Sequence, residues 1–244
     1  GTPDSRRLDS CYIKGLRGKQ IGKRNCLANL PPEFSTQMAA ISGLLRFDGA
    51  PVAGEFTRRI AGRMAHRSPQ GIRGDDAGMV ALAFGALHAT PQSLFDVQPV
   101  ALAEGAVLVV DGRIDDRAAL AKALGMARDT LASVGDAALF AQAWLRWREE
   151  LWRHVLGDYA LAVWEPARQQ LSLVRDRIGV RPFYWARTPS MLAFASEAEA
   201  LLGIDGIRSE PNPDRVASNL VPLFDDGDRG ATLYRDVRRV MPGE

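Results

Sequence analysis

"DYALAVWEPARQQLSLVRDRIGVRPFYWARTPSMLAFAS", residues 158–196, holds two apolar runs about a proline-containing turn and then repeats that design immediately. Residues 158–176 read as one β-hairpin and residues 183–196 as a second, because each pairs strand-length runs of apolar and β-branched or aromatic residues around turn formers. Two hairpins in series predict an antiparallel sheet. Ser196 followed by Glu199 has the spacing of a capping box at the head of a short helix ending at Gly203.

The same alternation of strands and helices extends upstream as far as Met38. Ile41 to Phe47 is a strand-length apolar run closed by the turn pair Asp48-Gly49, and Phe56, Ile60 and Met64 then recur at helical spacing. Met79 to Leu87 and Ala106 to Val110 read as buried strands. Asp115 and Asp116 stand where a helix cap belongs, before a helix through Ala119, Leu120 and Leu124 that stops at Gly125. Asp136 opens a further helix with a mainly apolar face. Strands apolar on both sides, with helices between groups of them, predict sheets packed on each other and covered outside by helices.

Residues 1–37 differ in character. They carry seven Lys/Arg against three Asp/Glu, leaving 24 basic and 26 acidic groups in the other 207 residues, so a basic extension precedes a slightly acidic body. The extension shows neither helical nor strand periodicity and contains a Pro-Pro pair, a composition that predicts disorder. It has no repeat and no aromatic platform for bases, so nucleic acid is not expected as a partner. Both cysteines, Cys11 and Cys26, lie there, without the third Cys or a His that a zinc site needs. The body therefore has no thiol. No apolar run reaches the roughly 18 residues of a membrane span and no signal-peptide core is present, which predicts a cytoplasmic protein and no membrane partner.

Several segments in order resemble the N-terminal glutaminase domain of the asparagine synthetase family, a class II glutamine amidotransferase. "RDRIGVRPFYW" (175–185) with "LAFASEAEALL" (192–202) carries most of the resemblance; "MAHRSPQG" (64–71), "QPV" (98–100), "DGRIDDRAAL" (111–120), the Asp136 segment and "LGDYALAVWE" (156–165) follow the family order. The resemblance implies an α+β fold, the four-layer αββα sandwich of N-terminal-nucleophile hydrolases. It also implies the division 1–37 extension, 38–205 sandwich, 206–244 closing segment and start of a linker. His66, Arg67 and Pro69, and Arg175, Asp176, Gly179 and Pro182, fall in elements that the resemblance makes structural. Asp176 between Arg175 and Arg177 is expected to form an ion-pair clamp on the loop around Gly179 and Pro182.

Family members begin with Cys-Gly-Ile after loss of the initiator Met. Here Ala39-Ala40-Ile41 lies on that pattern, so Ala39 takes the place of the nucleophilic cysteine. In such enzymes residue one supplies both the attacking thiol and, through its free α-amine, the base that activates it. A methyl group cannot attack a carbonyl. The family arginine that clamps the glutamine carboxylate falls on Ala86, and the Asn-Gly-Glu of the oxyanion hole and pocket falls on Asp111-Gly112-Arg113. An ionised Asp111 would repel a developing oxyanion, where one lost donor alone costs about 2.7–4 kcal/mol. Asp136 matches the acidic residue that holds the substrate ammonium. Asp111, Gly112, Arg113 and Asp136 are thus the expected remnant pocket, with no catalytic residue. Ser42 is the one nearby hydroxyl that could replace the nucleophile, and its own nitrogen is a peptide amide rather than a base.

His66 lies in a structural element, and His88 and His154 lack partners at metal spacing, so no metal site is expected. Trp144, Trp147, Trp152 and Trp164 read as core or interface anchors. The Ser-Gly-Gly-x-Asp-Ser loop that holds ATP phosphates in full-length relatives does not occur here, so no cofactor is expected in this chain, and ATP and Mg belong to a C-terminal synthetase domain, the expected partner. A homodimer is a second expected assembly. The lost cysteine together with "DGRIDDR" is similar to lasso-peptide cyclases and β-lactam synthetases, which implies a scaffold domain without glutaminase activity. The rival reading is an amidohydrolase with another nucleophile or substrate.

Overall fold

The structure, a computed structural model, describes residues 38–54, 56–221 and 227–243. The basic extension with Cys11 and Cys26 lies outside the described residues. In chain order the elements are β1 (Ala40–Arg46), α1 (Phe56–Arg63), β2 (Ile72–Ala77), β3 (Val80–Gly85), β4 (Val100–Ala101), β5 (Val107–Ile114), α2 (Arg117–Leu124), α3 (Asp136–Trp147), β6 (Gly157–Glu165), β7 (Gln170–Arg175), β8 (Tyr184–Arg187), β9 (Met191–Ala195), α4 (Ala198–Leu201), α5 (Pro213–Leu220) and β10 (Val237–Arg239).

They form two antiparallel sheets, one ordered β10-β8-β9-β1-β3-β2 and the other β4-β5-β6-β7. Ile41, Phe84 and Phe194 of the larger sheet pack with Val109, Ala160 and Trp164 of the smaller one to make the central apolar layer. A second layer joins Ala40 and Leu44 to Ile60 of α1, Met64 just after it and Leu201 of α4. The third joins Val110 and Leu161 to Leu120, Phe140 and Trp144 of α2 and α3. Helix, sheet, sheet and helix therefore stack in that order, and period-two alternation on the central strands divides their side chains between two cores.

Both hairpins form, but they do not share a sheet: β6–β7 belongs to the smaller and β8–β9 to the larger. The connection from Asp176 to Phe183 carries the chain across. The expected capping box is also absent. Glu197 is the cap residue of α4 and makes no side-chain cap bond, because the hydroxyl of Ser196 accepts the Ile41 amide at 2.9 Å and so fastens β1 to the end of β9. The segment 206–244 supplies β10, which pairs with β8 as the edge of the larger sheet.

Close approach of the sheets fixes Gly43 on β1. A Cβ there would strike the Phe194 ring and lie 2.7 Å from the Ala81 carbonyl oxygen. By contrast, α2 has the ends read from sequence: Asp116 accepts the Ala119 amide at 2.8 Å, and Gly125 takes the left-handed conformation at φ 75°.

Candidate functional site

β1 begins beside the middle of β5, and this juxtaposition makes the site. On β5, Gly112 faces α3, where a Cβ would meet Tyr159 at 2.9 Å and Phe140 at 3.0 Å. Asp111 therefore points to the opposite side, between the sheets, and is 2% exposed. The Ala39 backbone amide lies near the Asp111 carboxylate and favours its charged form. The Ala39 carbonyl accepts from Arg67 Nε at 3.1 Å. Its nitrogen is a peptide amide beside a carboxylate, with no lone pair available as a base.

Two buried guanidinium groups flank Asp111. Arg67 Nη2 lies 3.4 Å from Oδ2 and Arg181 Nη1 lies 3.3 Å from Oδ1. Arg67 continues through Nη1 to Glu197 at 3.4 Å, and Glu197 receives His66 Nε2 at 2.8 Å. Burial pushes the Asp111 carboxyl up to about 6, against the opposing pull of Arg181, Arg67 and the Ala39 amide. An Arg–Asp–Arg group thus stands against the Ala39 backbone at the expected nucleophile position.

The other expected pocket groups are also engaged. Asp136 is ion-paired to Arg117 and accepts the Ile114 amide at 3.1 Å, so a guanidinium holds the carboxylate expected to take an ammonium. Arg117 Nη2 donates to the Leu131 and Val134 carbonyls. Arg113 stands at the rim, 54% exposed, paired with Asp115 at 3.1 Å and Asp158 at 3.2 Å. Ala86 is buried in the layer between the sheets, an apolar group with no charge to offer. Ser42 is an odd number of positions from Ala39 along β1, between Ala40 and Leu44, which face the helices. Its hydroxyl therefore points away from Asp111.

The loop after β7 is built differently from the expected ion-pair clamp. Asp176 binds backbone, not guanidinium: its carboxylate accepts the amides of Ile178, Val180 and Arg181 at 3.0–3.1 Å. Arg175 donates to the carbonyls of Arg181, Gly179 and Val240 at 2.6–2.7 Å. Arg177 turns outward to the Trp152 carbonyl and lies over the Trp152 ring. Gly179 has φ +69°, and a Cβ on it would lie 2.8 Å from Pro242. Pro182 is half-buried beside Phe183, and Pro69 is exposed. This clamp presents Arg181 to Asp111.

Arg117 and Arg181 carry no local signal in the sequence, and Arg67 reads there as a structural residue. A signal for all three does exist: buried acids at Asp111 and Asp136 require cations. Trp144 and Trp164 are buried in the cores, while Trp147 stacks on His154 with centroids 4.2 Å apart. His88 Nδ1 lies 2.9 Å from the Ser93 carbonyl oxygen, which accepts from it. Among the described residues no group of three His, Cys, Asp or Glu is arranged to hold a metal ion, and no helix is long and apolar enough to cross a membrane.

Two antiparallel sheets face to face between helical layers, with the first strand's leading residue set against the smaller sheet, define the N-terminal-nucleophile hydrolase type of sandwich. The glutamine phosphoribosylpyrophosphate amidotransferase of Bacillus subtilis matches 66% of the chain at TM-score 0.51 and 14% identity, over 42% of its own length. The family model for the glutamine amidotransferase domain matches residues 38–244. The chain belongs to that family, and within it to the N-terminal domains of the asparagine synthetase type. It is 26% identical over 136 residues (55% of this chain) to the glutamine-hydrolysing asparagine synthetase 3 of Bacillus subtilis. It is 36% identical over 81 residues (32% of this chain) to a putative asparagine synthetase 1 of Methanocaldococcus jannaschii. These alignments span 22% and 15% of the relatives' lengths, so the chain corresponds to one part of much longer proteins.

Proposed function

We propose that this domain does not hydrolyse glutamine and serves as the scaffold and interface of an asparagine-synthetase-type, ATP-dependent amide-forming enzyme. The observation that carries this reading is the state of Ala39: it has no nucleophilic atom, its nitrogen is a peptide amide near the Asp111 carboxylate and its carbonyl accepts from Arg67. Covalent catalysis by residue one needs a side-chain nucleophile and a free amine, and neither function is available at Ala39. Asp111 supports the reading further, since a carboxylate sits where the resemblance implies an oxyanion donor.

The partner this reading requires is a C-terminal synthetase domain, which would hold ATP and Mg and activate a carboxylate. The lost cysteine supports a parent enzyme that closes an intramolecular amide, as in the lasso-peptide or β-lactam type, where no ammonia from glutamine is needed. The purified chain, intact and after removal of residues 1–37, is expected to release no ammonia from glutamine above the uncatalysed background. Ammonia release that titrates with enzyme would overturn the proposal in favour of an amidohydrolase with another nucleophile.

A further inference from the structure

One end of the β6–β7 hairpin is an apolar surface. Leu156, just before β6, is 66% exposed, and Ile178 and Val180, just after β7, are 78% and 46% exposed. Leu156 and Ile178 line one cleft of about 210 Å³, and Ile178 also lines a second cleft with Met241 and Pro242. The group is therefore continuous from Leu156 through Ile178 to the stretch after β10. Exposed apolar side chains that adjoin in this way mark contact surfaces, whereas single ones need no explanation.

The backbone beneath these side chains is fixed. The Asp176 carboxylate accepts the amides of Ile178 and Val180 at 3.1 and 3.0 Å, and Arg175 Nη2 donates to the Gly179 carbonyl at 2.6 Å. Side chains carried on a loop already ordered lose little further entropy when they are covered. Residues 240–243 are fastened to the same loop. The Val240 carbonyl accepts from Arg175 Nη1 at 2.7 Å, the Gly243 amide donates to the Asp176 carbonyl at 3.0 Å, and Pro242 lies against Gly179. The backbone therefore reaches residue 243 beside the apolar group.

We propose that Leu156, Ile178 and Val180 form the docking surface for the C-terminal synthetase domain of the parent chain, through an apolar face of that domain. The assignment rests on the scaffold reading, and on alignments that leave the greater part of each asparagine synthetase relative outside this chain. A domain tethered beyond residue 243 meets this surface intramolecularly, at an effective concentration set by the tether, so a small apolar contact suffices to seat it.

The test compares the complete parent protein with residues 1–244, each carrying Leu156→Cys, Ile178→Cys or, as a control, Ala167→Cys. Ala167 is exposed in the turn between β6 and β7, at the far end of β6 and so roughly 30 Å from Leu156. Cysteine keeps these positions apolar, and all three are exposed, so each variant is expected to unfold near the parent Tm. Alkylation by iodoacetamide is read by peptide mass spectrometry, which separates these sites from Cys11 and Cys26. In residues 1–244 all three are expected to label fully. In the complete protein Leu156→Cys and Ile178→Cys are expected to lose most of their labelling and Ala167→Cys to keep it. Full labelling of Ile178→Cys in both proteins, or loss of labelling at all three positions, would overturn the surface and leave the scaffold reading standing. Ammonia release from glutamine by the same complete protein would overturn the scaffold reading, whatever the labelling. Protection already present in residues 1–244, with a dimer by sedimentation, would assign the surface to a second copy and overturn the proposal. A parent reading frame without a synthetase domain would overturn both the surface and its partner.

Discussion

Asp111 is the residue on which the character of the site turns. A carboxylate between two guanidinium groups should be easy to ionise, yet it is buried, and burial prevails in holding it up to about 6. In the unfolded chain the same group ionises at about 4. Between these values the folded chain binds more protons, so the stability Asp111 contributes is complete below about pH 4 and is lost as pH rises through about 6, an amount of about 3 kcal/mol. Asp111→Asn, fixed in the neutral form, is expected to flatten that part of the profile; urea denaturation of both proteins between about pH 4 and 8 measures the difference. An unchanged slope would remove Asp111 from the account. Arg67 has the opposite role, because it neutralises Asp111 and Glu197 and caps the Ala39 carbonyl at once. Arg67→Met is expected to cost about 3–5 kcal/mol at neutral pH, as loss of one partner leaves buried charge uncompensated.

Strands and helices differ in how openly the sequence declares them. β1, β3 and β5 are declared by apolar runs, and α2 by Asp116 and Gly125 at its ends. β2, "IRGDDA", is not, because an edge strand paired only with β3 needs no apolar face. The hairpins were legible but their sheets were not: alternation says which face of a strand is apolar, and nothing about which strand comes alongside. Ser196 failed for a similar reason, its hydroxyl being claimed by Ile41, 155 positions away. The candidate site was legible where one residue suffices, as at Ala39, and illegible where distant residues meet, as for Arg67 and Arg181 around Asp111. Two glycines test the packing of these elements. Gly43→Ala in β1 is expected to destabilise by about 1–3 kcal/mol, since the added methyl meets Phe194 and the Ala81 carbonyl on a central strand. Gly62→Ala in α1 meets nothing within 4 Å and is expected to stabilise by about 0.5–1 kcal/mol through helix propensity. Opposite signs in equilibrium unfolding would support the layer assignment; like signs would contradict it.

At the scale of the whole molecule, the scaffold proposal raises the question of whether one substitution would be enough to make this domain a glutaminase. A chain cut to begin at residue 39 and carrying Ala39→Cys would regain both a thiol and a free α-amine. The rest of the site would still oppose the reaction. At the positions the resemblance implies, the substrate carboxylate would meet Ala86, an apolar group in the central layer, and the substrate ammonium would meet Asp136 already held by Arg117. The oxyanion would form beside Asp111, where loss of one donor alone costs about 2.7–4 kcal/mol before any repulsion is counted. The new terminal ammonium would itself be drawn to the Asp111 carboxylate, which the Ala39 amide already contacts, and so be kept from acting as a base. This variant is therefore expected to fold, to react with a thiol reagent at its first residue and to release no ammonia from glutamine. Substantial turnover by that single variant would mean that the surrounding residues are competent and that the scaffold reading rests on one atom only. Thiol labelling without turnover is the result that the combined arrangement of Arg67, Asp111, Arg117, Asp136 and Arg181 requires.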